Sequence, residues 1–352
     1  MNWETKFLKN LVDIYSPTGK EKTISDFILK TLTDNGVNVY QDEVNNIIST
    51  VGNGKELILL AGHMDTVSGK LPIKIKNGIL YGRGACDAKG TLAAMICAII
   101  RLKNIDSTVS VKFAGLVEEE GASKGMRNLL KNGIKAKYAI FGEPSENTRI
   151  VIAYRGSIAL NVKIKGKGGH VAASPLYENA IEKAFSLYEN IKKAVEVKND
   201  SLFRSCNVII TSLYGGEPGK IPGNCEMMLN IRFPPGYTSK QIIKKINTES
   251  KKFSGVKIEI LDSNEPYETN KHSSLAVSAI RSIWQTTNER AKFSRKTGTG
   301  DMNLLPKKIE AISIGPGNPL FEHTDNEQIK LDEYLQAIDI FEYMIKDLIQ
   351  KS

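Results

Sequence analysis

The sequence is poor in the residues that build thiolate and redox chemistry. Its 352 residues include four cysteines, four histidines and two tryptophans. Cys86, Cys97, Cys206 and Cys225 show no Cys-x-x-Cys spacing and no dense framework. That excludes a thiolate zinc finger and a disulfide scaffold, and it predicts reduced thiols in a cytoplasm. No apolar run approaches the roughly 20 residues of a membrane-spanning helix, so no membrane partner is expected. The opening "MNWETKFLKN" lacks the apolar core of a secretory signal. There is no internal repeat and no low-complexity segment. Acidic residues are the minority charge: 39 Asp and Glu against 48 Lys and Arg, a net +9. Summed charge steers association, so the excess points to an acidic partner or substrate. Nucleic acid is not favoured. The lysines are scattered, as at Lys163, Lys165 and Lys167, Lys192 and Lys193, and Lys307 and Lys308, with no stacking aromatics interleaved.

The chain is long enough for two domains. Residues 4–34 read as two amphipathic helices: Phe7, Leu8, Leu11, Val12 and Tyr15 share one face, and Ile24, Phe27, Ile28 and Leu32 the next. Strand-like runs follow in "NVYQD", "NIIST" and "ELILLAG". Thr91–Leu102 is apolar nearly all round, which predicts a buried helix. "TVSVKFAGLV" and "YAIFG" are further strands. Strands alternating with helices imply an α/β domain with a largely parallel sheet. Near residue 153 the pattern changes. "RGSIALNVKIKGKG" alternates like a half-exposed antiparallel strand. An amphipathic helix follows, with Ser174 suited to its N-cap, Pro175 to its first turn, and Ala180, Ile181, Ala184, Phe185, Tyr188 and Ile191 forming its stripe. Two more strands and a second helix complete an α+β insert over 153–263, after which buried-helix patterning returns.

Ionisable residues cluster at the ends of the expected strands. His63 and Asp65 follow "ELILLAG"; Glu118, Glu119 and Glu120 end "VKFAGLV"; Glu143 ends "YAIFG"; His323 follows "IEAISIG"; and Asp87 opens the buried helix. Open α/β sheets place their sites at that rim. Two histidines and several carboxylates on one rim make a metal site, and mixed His and carboxylate ligation suits zinc and its neighbours. Each piece alone is common elsewhere: Asp87 would also serve as a helix cap, and Gly82–Gly84 lack the third glycine of a dinucleotide fingerprint. The joint arrangement is far more specific than its parts.

The motifs "GHMDTV", "GRGACDAKG", "EEEGASKGM", "FGEPS", "GKGGHVAASP", "LNIRFPPG", "TGTGDMN" and "EHTDNE" resemble, nearly end to end, the dinuclear-zinc amidohydrolases. That M20-type family includes succinyl-diaminopimelate desuccinylase, acetylornithine deacetylase, aminoacylase and bacterial glutamate carboxypeptidases. "GRGACDAKG", "LVEEE" and "FGEPS" look like the branch acting on lysine held by an amino-group carrier protein. The resemblance implies a zinc-peptidase-like α/β catalytic domain, residues 1–152 and 264–352, and a ferredoxin-like lid and dimerisation domain, 153–263. It implies two Zn²⁺ per subunit, with Co²⁺ as a substitute: one on His63, Asp87 and Glu143, the other on Asp87, Glu120 and His323. Asp65 would sit behind His63 and fix its tautomer, and Glu119 would be the general base. A register shifted by one, with Glu118 as base and Glu119 as ligand, stays open. His170 matches a lid histidine that reaches the partner subunit's site in a homodimer, and Arg232 an arginine that grips a substrate carboxylate. One departure stands out. Many relatives carry an asparagine just before the "IP" of this region, where this chain has Gly219 and Lys220. That disfavours simple acetyl or succinyl amino acids and suits a larger acyl group. The implied activity is release of lysine, and of ornithine, from the C-terminal glutamate of a small acidic carrier protein, in lysine and arginine biosynthesis. The alternative is a small-molecule N-acyl amino acid deacylase or desuccinylase.

Overall fold

The structure, a computed structural model, describes residues 1–54 and 56–351. Its helices are α1 (Trp3–Asp13), α2 (Lys22–Asp34), α3 (Lys89–Arg101), α4 (Lys124–Lys131), α5 (Ala180–Val195), α6 (Ser239–Ser250), α7 (Ser274–Thr287) and α8 (Leu331–Gln350). The chain divides into two compact units. The first is Met1–Ile152, Thr269–Ser294 and Gly300–Ser352; the second is Ala153–Glu268 with Arg295–Thr299. Residues 264–268 and 295–299 of this unit lie outside the insert expected from the sequence. Among the described residues no helix is long and apolar enough to cross a membrane.

In the first unit the sheet order begins Val39–Gln41, Ile47–Val51, Val109–Leu116, Glu56–His63, Tyr138–Gly142, Glu310–Ile314, Arg149–Tyr154. The four middle strands are parallel, and the pairs flanking them on both sides are antiparallel. The parallel strands are largely apolar, with Ser110, Lys112 and Glu310 only half-buried, and α3 packs against them. Every α3 residue from Lys89 to Ile99 is buried, and Leu92 and Met95 lie against Gly62. Helix α1 starts where the Asn2 side chain accepts from the Thr5 N–H at 3.0 Å, and it buries Phe7, Leu8, Leu11 and Val12. It ends at Asp13, so Tyr15 is not on its face. Register then places the site. His63 pairs with Leu116 and Ala61 with Phe141, so residues 63–65, 118–120 and 143 all leave the sheet at one end.

The second unit is a four-stranded antiparallel sheet, in the order Asn207–Gly215, Asn224–Phe233, Gly156–Lys165, Val256–Asn264. With α5 and α6 between strands in chain order, this is a βαββαβ unit. Ile158, Leu160, Val162 and Ile164 point to the helices and join Ala184, Leu187, Ile191, Ile242 and Ile246 in a separate core. Two expectations for α5 fail. Ser174 is not its N-cap, since Val171–Leu176 form a separate 3₁₀ stretch. Glu178 then exchanges main-chain hydrogen bonds with Lys167, at 2.8 and 3.0 Å, which keeps it extended. The helix therefore begins after Asn179, whose side chain accepts from the Ile181 N–H at 3.0 Å. Phe185 leaves the buried stripe and is 49% exposed. Lys183 is buried instead, its ammonium 3.2 Å from the Lys165 carbonyl and 2.9 Å from Glu178.

Candidate metal centre and active site

Strand Glu56–His63 delivers its last residue, His63, 3% exposed, to the sheet rim. Its Nδ1 lies 3.0 Å from the main-chain carbonyl of Asp65. A carbonyl only accepts, so that nitrogen carries a hydrogen, which leaves Nε2 as the atom that would ligate an ion once its own proton is displaced. Nε2 faces Asp87 Oδ1 at 3.4 Å. The tautomer is thus set by the Asp65 backbone more closely than by its carboxylate, which is 3.5 Å away. The carboxylate has other partners: it accepts from Thr18 Oγ1 at 2.9 Å, the Glu119 N–H at 3.0 Å and the Glu120 N–H at 3.1 Å. Asp65 therefore orients the two glutamates as well as the histidine.

Glu118 adopts left-handed backbone, φ 57°, a conformation disfavoured for any residue but glycine. That kink separates it from its neighbours. Its side chain turns out to Lys124 at 3.2 Å, while Glu119 and Glu120 turn inward. Among the described residues two groups of possible ligand atoms result. His63, Glu119 and Glu120 come within 4.8 Å of one another, and so do Asp87, Glu120 and His323. His323, also left-handed at φ 60°, places Nε2 2.8 Å from Glu120 Oε1 and 3.0 Å from Asp87 Oδ2. Glu143 is half-buried and belongs to neither group, but its charge acts on Glu119. His170 and Arg232 belong to the second unit. His170 is exposed, with Nδ1 accepting from the Ala172 N–H at 3.2 Å. Arg232 is half-buried and donates to Asn230 at 3.0 Å and Thr299 at 3.1 Å.

The proton affinities of the cluster are those of carboxylates crowded out of water. Burial and then the Glu143 charge hold Glu119 well above the usual carboxylate range. Burial, with Asp87 adding to it, pushes Glu120 up to about 7 against the pull of His63 and His323. Burial would push His63 down, but Asp65 and Asp87 carry it well above the imidazole range. Asp87 and Glu120 lift His323 to about 9. The sequence reading assigned no role to Asp301, of the "TGTGDMN" motif. It is 4% exposed, pushed up to about 7 chiefly by burial, and its Oδ1 has no hydrogen-bond partner. Nothing local marks Asp301, because the groups acting on it lie far along the chain: a hydrogen bond from Ser123 and the charges of His63, Glu143 and Asp65. Oxygen and imidazole donors held together against mutual repulsion fit hard or borderline divalent ions, whose charge offsets that repulsion.

Such donors at the rim of an α/β sheet are the setting of metal-dependent hydrolysis of amide bonds. This chain is such a hydrolase. Residues 59–347 match the model of peptidase family M20/M25/M40, and the chain belongs to that family. It is 33% identical to the LysW-lysine/LysW-ornithine hydrolase of Sulfurisphaera tokodaii, over 98% of this chain and 96% of that one. It is 38% identical to a Pyrococcus furiosus protein given the same designation provisionally, over 97% and 96%. Among solved structures it is similar to the M20 family metallo-carboxypeptidase Sso-CP2 from Sulfolobus solfataricus. The TM-score is 0.81 at 20% identity, covering 98% of this chain and 99% of that one.

Proposed function

We propose that this hydrolase releases lysine or ornithine from an acidic LysW-type carrier protein in the cytoplasm. In that reading His63, Asp87 and Glu143 hold one divalent ion, and Asp87, Glu120 and His323 the other, with zinc as the metal and cobalt able to replace it. The observation that carries the substrate is the near end-to-end identity, 31–38%, to proteins named for that activity. Bound divalent ions supply positive charge that polarises an amide carbonyl and makes a nearby water easier to deprotonate. Glu119 takes the proton from the attacking water, and its raised proton affinity suits a base that must later donate. It then passes that proton to the nitrogen of the breaking C–N bond, so acid and amine leave with one water consumed. Asp65 keeps Glu119 and Glu120 in register through their N–H groups. An amino acid held through its amino group keeps its carboxylate free, and Arg232 offers a planar fork for it.

The same reading makes the enzyme a homodimer through its second unit, with His170 serving the oxyanion of the partner subunit's site. Its support is an apolar edge: Ile209 and Tyr214 on the edge strand and Phe185 on α5 are 53%, 67% and 49% exposed. The test is the amino acid set free from carrier-linked lysine, carrier-linked ornithine, acetylornithine and succinyl-diaminopimelate, before and after chelation. Carrier-linked lysine or ornithine is expected to react, with chelation abolishing turnover and Zn²⁺ or Co²⁺ restoring it. Preference for acetylornithine or succinyl-diaminopimelate would overturn the substrate, and full activity after verified metal removal the mechanism.

A further inference from the structure

Beside Asp87 lies an ion pair that the chemistry above does not use. Arg83 and Glu327 are 6% and 1% exposed, and Arg83 Nη1 donates to Glu327 Oε2 at 2.9 Å. The other oxygen, Oε1, accepts two main-chain hydrogens, from Cys86 at 3.1 Å and from Asp87 at 2.9 Å. Arg83 also donates to two carbonyls, Nε to Gly69 at 2.9 Å and Nη1 to Thr324 at 3.0 Å. The Gly82 N–H closes the loop onto the Glu327 carbonyl at 3.1 Å. Three chain segments are tied at this point: the stretch at Gly69, the turn 82–87 and the loop 323–327. The second ends in Asp87 and the third begins with His323.

A buried ion pair is weak evidence for stability, since a well-packed apolar pair often serves as well. An apolar pair would, however, leave the Cys86 and Asp87 N–H groups and the Thr324 carbonyl without these partners. Those groups adjoin the two side chains that meet at 3.0 Å in the second triad. We propose that Arg83 and Glu327 are positioning residues. They hold Asp87 and His323 in ligating geometry before an ion arrives, and so set the affinity of the site formed by Asp87, Glu120 and His323 without touching the ion. The proposal rests on reading that triad as a metal site.

The test is a Co²⁺ titration of the metal-free full chain, followed by visible absorption. It compares the wild type with the double variant Arg83→Met/Glu327→Leu, which leaves neither charge unpaired. Wild type is expected to take two ions. In the variant the dissociation constant of at least one of the two ions, both of which Asp87 would help to hold, should rise about 10–100-fold, as for lost outer partners of ligands. Its circular dichroism should be unchanged, and excess Co²⁺ should restore the two-ion spectrum. A folded variant with wild-type affinity for both ions overturns the proposal. Should the variant not fold, hydrogen exchange on the wild type decides. Segments 82–88 and 323–327 are expected to be protected in the metal-free chain already. Exchange there at the rate of an open chain until metal is added overturns a preformed clamp. A wild type that fails to take two ions would instead overturn the reading of the site itself.

Discussion

At Glu118 a left-handed backbone turn sorts three chemically identical side chains into different jobs. Its carboxylate goes out to Lys124, and the two N–H groups after it go to Asp65. With Glu118 turned out, we propose Glu119 as base and Glu120 as ligand rather than the register shifted by one. Glu119→Gln is therefore expected to keep both metals while turnover falls roughly 10²–10⁴-fold. Glu118→Gln should leave turnover within about threefold, since its side chain lies outside both triads, as a routine surface change does. Metal content by elemental analysis and kcat on the same samples check both. Loss of metal in Glu119→Gln, with loss of turnover alone in Glu118→Gln, would move the register back by one.

Helix α5 shows how an element boundary is decided by its neighbours. Ser174-Pro175 is a good local start signal. The Glu178–Lys167 bridge forces extended backbone just beyond it, so Asn179 caps instead. Asn179→Ala should cost about 1 kcal/mol of unfolding free energy, the usual worth of an N-cap. Ser174→Ala should fall within about 0.5 kcal/mol of the wild type, as exposed changes do. Urea denaturation of both variants distinguishes the two starts, and equal losses would mean that neither residue caps the helix.

Across the whole molecule the positive charge is uneven. The second unit holds 19 Lys and Arg against 12 Asp and Glu, a net +7 of the chain's +9. Lys163 is a poor anchor for an acidic partner, because it sits between Glu226 at 3.8 Å and Glu259 at 4.0 Å. The outer side of α6 is richer: Lys240, Lys244, Lys245 and Lys251 are all exposed there or just beyond its end. If an acidic carrier approaches this surface, Lys240→Glu/Lys244→Glu/Lys251→Glu should lower kcat/KM for the carrier-linked substrate about tenfold at low salt. A short peptide mimic should be spared. The wild-type advantage should shrink as salt rises from about 50 to about 300 mM, because the screening length shortens. Equal salt response for both substrates would make the lysines a solvated face.

Much was legible in the sequence because it is local. Apolar periodicity marks α1 and α2, an all-round apolar run marks α3, and buried-helix patterning marks α7 and α8. Alternation marks the strand Gly156–Lys165, and strand ends followed by acidic or histidine residues mark the rim. The order of these elements identified the α/β class and the change of pattern near residue 153. Tertiary structure alone decided the rest, since its partners are distant in the chain. Arg83 and Glu327 are 244 residues apart, and neither pattern nor spacing joins them. Asp301 acquires its raised proton affinity from groups brought near by folding. The edge strands are antiparallel because pairing, which propensity does not encode, sets direction. Residue type marked the candidate donors, but the outward turn of Glu118 and the inward turn of Glu119 depend on one left-handed residue held by its folded surroundings.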